Sequence, residues 1–229
     1  MTSIAANLQH VRERLWRACE AASRDSAEVT LLAVSKTFGA DAVRQAHAAG
    51  QHAFGENYVQ EGVDKIAAVA AHLPRELLQW HCIGPLQSNK TRQVATHFDW
   101  VQSVDRLKIA QRLSEQRPPG LAPLNVLLQV NISGEGSKSG VAQADVETLA
   151  RAVGQLPGLK LRGLMAIPEP EADAALQRAG RLGDGVNPGK LPNERQTRLI
   201  EVLAAAAVDA GRDPEGDADA HCHEGGWEE

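Results

Sequence analysis

The sequence is poor in aromatic residues and contains no basic block. Aromatic residues make up 3% of the 229 residues, and 24 Lys and Arg are outnumbered by 29 Asp and Glu, which gives a net charge of −5. Proteins that bind nucleic acid rely on stacking side chains and a cationic face. The composition therefore predicts that nucleic acid is not a partner.

Long apolar segments and an export signal are also lacking. The Ala-rich run Val202–Val208 is far shorter than the roughly 20 residues of a membrane span. The N-terminal segment soon carries Arg12 and Arg14 and has no apolar signal core. We therefore expect no membrane association and a cytoplasmic location.

Cysteine is scarce, with three widely scattered residues, Cys19, Cys82 and Cys222. An odd, scattered set is typical of free thiols in a reducing compartment. The segment 221–223, His-Cys-His, could offer zinc ligands, but adjacent ligands on a flexible tail do not make a closed tetrahedral site. We expect no metal.

What the sequence does have is an apolar fraction of 43% and a regular alternation of strand-like and helix-like segments. Strands are predicted to begin near residues 30, 52, 79, 100, 124 and 160, and helices are predicted over residues 4–23, 41–49, 58–72, 90–97, 105–116 and 144–155. This rhythm is typical of β-α units with a parallel sheet, either open and doubly wound or closed as a barrel. The first strand, residues 30–36, is predicted to be buried on both faces.

Polar residues follow every predicted strand, which is where parallel α/β proteins place their sites. A nucleotide phosphate loop is excluded, because the glycines that its spacing requires are replaced by Ser137 and Ile132. Lys36 ends the first strand, where shielding from water would favour the neutral amine that attacks an aldehyde. The alternative is a lysine that reaches solvent.

Six ordered motifs carry a resemblance to a known family. They are Leu-Ala-Val-Ser-Lys-Thr at 32–37, Phe-Gly-Glu-Asn-Tyr at 54–58, Trp-His-Cys-Ile-Gly-Pro-Leu-Gln-Ser-Asn-Lys at 80–90, Val-Gln-Ser-Val-Asp at 101–105, Val-Asn-Ile-Ser-Gly-Glu-Gly-Ser-Lys-Ser-Gly at 130–140 and Arg-Gly-Leu-Met-Ala-Ile-Pro at 162–168. Together they resemble the pyridoxal phosphate homeostasis proteins, single-domain relatives of the alanine racemase barrel. The resemblance covers about residues 1–176.

The resemblance implies an α/β fold of the TIM type, the (β/α) barrel of the alanine racemase N-terminal domain. It implies pyridoxal 5′-phosphate (PLP) as the cofactor, bound covalently as an imine at Lys36. It further implies a monomer with a role in vitamin B6 and amino-acid homeostasis, without established turnover and with PLP-dependent apoenzymes as partners.

The same motifs indicate further residues that would surround the cofactor. Asn57 and Met165 are the next contacts that the resemblance implies, and His81, Ser88, Asn89 and Asn131 are candidates for the rim. Each has a structural alternative. His81 could face the core, Met165 could fill the barrel, and the asparagines could serve turns or caps.

The sequence departs from the family pattern after about Leu176. The family's seventh strand, with a Ser-Met-Gly-Met-Ser segment, and its eighth, ending in Arg-hydrophobic-Gly, are not recognisable; the chain has only two methionines, Met1 and Met165. Residues 177–229 hold 6 basic and 11 acidic residues, which accounts for the whole net charge. Here we predict a divergent tail with one helix over 193–210 and a disordered acidic end over 211–229.

Such an abrupt change suggests a shifted reading frame, which the coding DNA can test. A barrel that lacks two strands would have unpaired edges, so we expect impaired stability and weak PLP retention. Two other functions remain open: a PLP-dependent amino-acid racemase-like enzyme, and a truncated or frameshifted product without function. A racemase needs an acid or base on each face of the cofactor, and the related racemases take one from a second domain.

Overall fold

The computed structural model describes residues 3–131 and 139–167, which form alternating helices and strands. The helices are α1 (Ile4–Ala21), α2 (Ala40–Ala48), α3 (Val59–Ala70), α4 (Thr91–His97), α5 (Leu107–Gln116) and α6 (Val146–Gly154). The strands are β1 (Ala33–Val34), β2 (Ala53–Glu56), β3 (Gln79–Cys82), β4 (Trp100–Val104), β5 (Leu124–Asn131), β6 (Val141–Ala142) and β7 (Leu159–Met165).

All pairings in the sheet are parallel, and neighbouring strands follow chain order from β1 to β5. β7 pairs with β5 from Leu124 to Gln129, and the two-residue β6 pairs with the end of β5 at Val130 and Asn131. The six predicted strands and the parallel sheet are therefore confirmed. β6 was not predicted, because two residues carry no detectable period.

Strand β1 differs from its prediction. Only Ala33 and Val34 are paired as a strand, and Val34 is 47% exposed instead of buried. The reason is position, since β1 is at the edge of the sheet and pairs only with β2 in the described part of the chain. The prediction that the first strand is buried on both faces is wrong.

The core lies between the sheet and its helices. Phe54 and Trp80, on adjacent strands, pack with ring centroids 5.6 Å apart, and Phe98 and Leu113 are fully buried beside them. Paired residues of parallel strands share a face, so the register Phe54↔Trp80 assigns this face to the helices. The opposite face is the inward one.

Side chains form hydrogen bonds with backbone groups at the start of α1 and at the end of α2. Ser3 caps α1 by accepting from the Ala6 N–H at 3.2 Å. Arg12 of α1 donates to the carbonyl oxygens of Ala49 and Gly50, both at 2.7 Å, where α2 ends. These bonds fix the first two helices against each other.

A polar cluster lies at the amino ends of β3, β4 and β5. We define the Asp99 network as Arg75, Asp99 and Arg117. Arg75 donates to both carboxylate oxygens of Asp99 at 2.8 and 2.9 Å, and Asp99 also accepts from the Trp80 N–H at 2.7 Å. Arg117 donates to the carbonyl oxygens of residues 95, 98 and 122. The network thus ties the connections that enter β3, β4 and β5.

Several predictions fall outside the described residues. These are the tail over 177–229 with its helix over 193–210 and acidic end, the seventh and eighth strands, and the His-Cys-His segment 221–223. Within the described residues, Cys19 and Cys82 are free thiols, as predicted, and the structure shows that both are buried. No helix in residues 3–131 and 139–167 has the length and apolarity that crossing a membrane requires.

Candidate functional site

The site is built on the inward face of the sheet, at the carboxyl ends of β1, β2 and β3. Register pairs Val34 with Gly55 and Gly55 with His81, so these three residues share a face. A Cβ at Gly55 would meet the side chain of Ile83 at 3.2 Å and that of Leu32 at 3.5 Å. Lys36 and Asn57 follow the last residues of β1 and β2, so both lie at this carboxyl edge of the sheet.

Lys36 lies in a tight turn directly after β1. The Ser35 N–H donates to the Gly55 carbonyl at 3.0 Å, and the Phe38 N–H donates back to the Ser35 carbonyl at 3.1 Å, which closes a four-residue β-turn. Lys36 is its second residue. The third, Thr37, has a φ of 68°, the sign that a type II turn requires at this position, where Gly is usual.

Behind this turn, on the helix-facing side, is a buried polar cluster that we call the Lys65 network: Ser35, Glu56, Glu61 and Lys65. Lys65 Nζ donates to Glu56 Oε1 at 2.6 Å, to the Ser35 carbonyl at 2.7 Å and to Glu61 Oε1 at 3.2 Å. Ser35 Oγ donates to Glu56 Oε1 at 2.6 Å. Glu61 Oε1 also accepts from the Thr37 N–H at 2.9 Å.

The charges of this network differ in burial. The side chains of Lys65 and Glu56 are 5% and 0% exposed, whereas that of Glu61 is 36% exposed. The Thr37 N–H and the Lys65 ammonium keep the pKa of Glu61 below its usual value, against the opposing effect of burial. Glu61 is therefore ionised at neutral pH.

Lys36 itself is exposed. The expectation that it is shielded from water is wrong, because the edge position of β1 leaves this face of the turn uncovered by the described residues. Of the two interpretations of Lys36, the structure supports a lysine that reaches solvent. An accessible amine can still meet a soluble aldehyde.

Asn57 is fixed by a close approach of two backbones. A Cβ at Gly84 would lie 2.1 Å from the Asn57 carbonyl oxygen, so only glycine fits there. Ser103 Oγ holds the Gly84 carbonyl from the next strand at 2.6 Å. The side-chain oxygen Asn57 Oδ1 is buried and has no hydrogen-bond partner among the described residues.

His81 is buried on the inward face, stacked on Trp100 with ring centroids 5.2 Å apart and planes at 9°. Its Nδ1 lies 3.1 Å from Gln102 Nε2, and its Nε2 is buried without a partner in the described part of the chain. Burial lowers the pKa of His81 to about 4, so the ring is neutral at physiological pH. His81 is thus a buried residue of the inward face, with Nε2 as its unsatisfied polar atom.

The other predicted residues lie apart from this cluster. Met165, half-buried, ends β7 beside Gln129. Asn131 is half-buried at the end of β5. Ser88 and Asn89 form a single 3-10 turn before α4, where the Ser88 carbonyl accepts from Thr91 and Arg112. The structure therefore places Lys36, Asn57 and His81 on or directly after three adjacent strands, β1, β2 and β3.

The Lys65 network was missed by sequence reasoning. The spacing of Glu61 and Lys65, four residues apart on α3, signals a surface ion pair and nothing more. Their link to the turn of Lys36 depends on how α3 packs against β2. Gly62 enables that packing, since a Cβ there would lie 2.7 Å from Phe98 and 3.2 Å from Glu56.

Comparison with known proteins shows what the chain is similar to. The family model for the alanine racemase N-terminal domain matches residues 3–183. A pyridoxal phosphate homeostasis protein of Pseudomonas aeruginosa is 64% identical over 179 residues, which cover 78% of this chain and 76% of that protein.

Solved structures of related proteins are similar to this chain as well. The structure of PipY from Synechococcus elongatus PCC7942 with PLP bound has a TM-score of 0.63 and 29% identity, and covers 92% of this chain and 95% of its own. The alanine racemase of Corynebacterium glutamicum, with a TM-score of 0.55, 16% identity and coverage of 91% of this chain and 51% of its own, shows the fold alone. The fold is thus the TIM-type (β/α) barrel of alanine racemases, as predicted, and the end of the family match near residue 183 agrees with the departure expected after about Leu176. The chain belongs to the alanine racemase N-terminal domain family and, within it, to the pyridoxal phosphate homeostasis proteins.

Proposed function

We propose that this chain binds PLP covalently through Lys36 and acts in intracellular PLP and amino-acid homeostasis without catalytic turnover. The observation that carries the proposal is the position of Lys36: an exposed amine at the carboxyl end of β1, in a chain similar along 92% of its length to PipY with PLP bound. Carboxyl ends of strands are where barrels of this kind place their sites.

The residues present fit such a cofactor. When bound, PLP would supply an aldehyde, and Lys36 would hold it covalently through its side-chain nitrogen. Asn57 Oδ1 and His81 Nε2 are buried polar atoms without partners among the described residues, and a ligand can satisfy such atoms. Asn57 and His81 are thus proposed to orient the ring.

Met165 stays a candidate contact of the cofactor, and Asn131, Ser88 and Asn89 stay candidates for the rim. The phosphate-binding segments that the family resemblance implies are not recognisable in this sequence, so no phosphate ligand is proposed here. We further propose that residues 1–176 form the PLP-binding part, with residues 177–229 as a tail, and that the protein is a cytoplasmic monomer that passes PLP to apoenzymes.

The test is direct. The full chain is titrated with PLP while absorbance is recorded, then reduced with borohydride, and the adduct is located by peptide mass spectrometry. We expect a pyridoxyl mass on residue 36 that is lost in Lys36→Ala and kept in Lys108→Ala, which removes an exposed lysine of α5. A wild-type chain without the adduct on residue 36 would overturn the proposal.

A racemase activity is a separate question that the same preparation answers. Chiral chromatography of amino acids incubated with the PLP-loaded chain should show no change in enantiomer ratio beyond that produced by free PLP. A rate that depends on the protein would replace the carrier function with the racemase-like one.

The expected low stability of the chain and its weak retention of PLP can be measured directly. We expect a low melting temperature and a PLP signal that is lost on dialysis, because two barrel strands are not recognisable. Thermal melting with and without PLP measures both, since a ligand stabilises the folded state by an amount that grows with the logarithm of its concentration relative to the dissociation constant. A high melting temperature with tight, saturable binding would contradict this expectation.

A further inference from the structure

The turn that carries Lys36 is held in an unfavourable backbone conformation. Thr37 has a φ of 68°, in the left-handed region. A β-branched side chain rarely adopts this region, because its Cβ approaches the following carbonyl. Such a conformation persists only where the surroundings enforce it, and it is found disproportionately at functional sites.

Two side chains of α3 enforce it from either side of Lys36. Glu61 Oε1 accepts from the Thr37 N–H at 2.9 Å, directly after Lys36. Lys65 Nζ donates to the Ser35 carbonyl at 2.7 Å, directly before it. Both are charge-assisted hydrogen bonds, which are stronger than neutral ones. The backbone of Lys36 is therefore fixed at both of its neighbours, while its side chain is left uncontacted by the network.

The two holding groups are themselves immobilised. Lys65 is bonded to Glu56, whose side chain is fully buried, and Ser35 Oγ donates to the same Glu56 oxygen. Ion pairs this deeply buried contribute little net stability, because desolvation offsets their attraction, and in some proteins they specify geometry instead. Here the geometry that the pair fixes is that of the turn around Lys36.

We propose that Glu61 and Lys65 are positioning residues: by holding the left-handed turn at Thr37, they keep the Lys36 amine at the carboxyl end of β1 in the orientation that accepts the aldehyde. This rests on the proposed binding of PLP at Lys36. Loss of either contact lets the turn populate other conformations, and the apparent affinity falls with the fraction that remains competent.

Glu61 offers the milder test, because its side chain is partly exposed and its removal leaves the buried Lys65–Glu56 pair intact. Asp64, on the exposed side of the same helix, gives a control with the same charge change, and it accepts a hydrogen bond from Gln60 at 3.1 Å. We expect Glu61→Ala to slow borohydride-trapped adduct formation at residue 36 by about tenfold, the effect of one lost charge-assisted bond. Asp64→Ala is expected to leave the rate unchanged.

Two further variants separate positioning from a general loss of structure. Glu61→Gln keeps an oxygen that can accept from the Thr37 N–H, so we expect it to retain more of the rate than Glu61→Ala. Adding Thr37→Gly to Glu61→Ala removes the Cβ that disfavours the turn. We expect this double variant to recover part of the lost rate, a recovery that a merely destabilised protein would not show.

These experiments distinguish a failure of the proposed function from a failure of the positioning proposal. If the wild-type chain forms no adduct on residue 36, the proposed function fails. If it does form the adduct and Glu61→Ala reacts as fast as Asp64→Ala, the positioning proposal is overturned and the function stands. Faster amide hydrogen exchange of Thr37 in Glu61→Ala, with a melting temperature close to that of Asp64→Ala, would show that the change is local to the turn.

Discussion

The two ends of the sheet carry polar networks of similar size but of different character. At the amino ends, the Asp99 network joins Arg75 and Asp99 with side chains 36% and 29% exposed, and most of its donors bond to backbone carbonyls. At the carboxyl ends, the Lys65 network joins Lys65 and Glu56 with 5% and 0% exposed, and it holds a strained turn.

The two networks therefore differ in what they contribute to the sheet. The Asp99 network satisfies carbonyls where the chain enters the strands, so its loss should cost stability. The Lys65 network is costly to bury and lies directly behind the turn that carries Lys36. In barrels of this fold, the amino ends generally serve stability and the carboxyl ends serve function.

The largest effect that tests this comparison is expected at Lys36. Lys36→Ala removes the only amine proposed to hold PLP, so the pyridoxyl adduct on residue 36 should vanish, as peptide mass spectrometry after borohydride would show. Arg75→Ala, at the other end of the sheet, should keep the adduct. Loss of the adduct in both variants at a temperature where both are folded would break the comparison.

Next in size is the cost of a broken ion pair. Lys65→Met leaves the charge of Glu56 buried without its partner, and we expect a loss of about 3–5 kcal/mol in the free energy of unfolding. Arg75→Met breaks a half-exposed pair, and we expect only about 1–2 kcal/mol. Urea unfolding monitored by circular dichroism measures both; equal losses would count against the assigned difference in burial.

We expect protonation of His81 to make the stability of the folded chain depend on pH. Its pKa is about 4 in the folded chain and 6.5 in the unfolded one, so between these values the unfolded state binds more protons. Stability should be full above pH 6.5 and fall by about 3 kcal/mol as the pH drops to 4. Urea unfolding at several pH values should show that His81→Gln lacks this part of the slope; an unchanged slope would contradict the assignment.

Two glycines give a matched pair across the sheet. A Cβ would lie 2.1 Å from the Asn57 carbonyl at Gly84 and 2.6 Å from the Ser114 carbonyl at Gly158. We expect Gly84→Ala and Gly158→Ala each to destabilise the fold by about 1–3 kcal/mol. Only Gly84→Ala should also weaken PLP binding in an absorbance titration, because it displaces Asn57; equal binding by both would remove Asn57 from the site.

The smallest expected effect is a gain. Thr37→Gly relieves the left-handed backbone and should stabilise the chain by up to about 1 kcal/mol, less the added entropy of the unfolded glycine. Differential scanning calorimetry would show a rise in melting temperature of a few degrees. A fall would mean that Thr37 is not strained, and that the Lys65 network has nothing to hold in place.

Much of the fold was accessible from the sequence, because helix and strand periods are local. The first helix was predicted over 4–23 and spans Ile4–Ala21, and the fifth was predicted over 105–116 and spans Leu107–Gln116. The first strand was predicted over 30–36 but is paired only at Ala33 and Val34, because edge position depends on the whole sheet.

The candidate site was accessible in part. Lys36 and Asn57 follow strands, and parallel strands bring their carboxyl ends to one edge of the sheet, so their position at that edge could be foreseen. The exposure of Lys36 and the stacking of His81 on Trp100 could not, because both depend on which elements cover a given face.

The sequence by itself determined the alternation of strands and helices, the family and the amine at residue 36, since each depends on residue types in chain order. Only the tertiary structure decided that Glu56, Glu61 and Lys65 meet behind Ser35 and Thr37. The physical reason is distance along the chain: residues 21 to 30 positions apart are joined by hydrogen bonds that exist only after α3 has packed against β2.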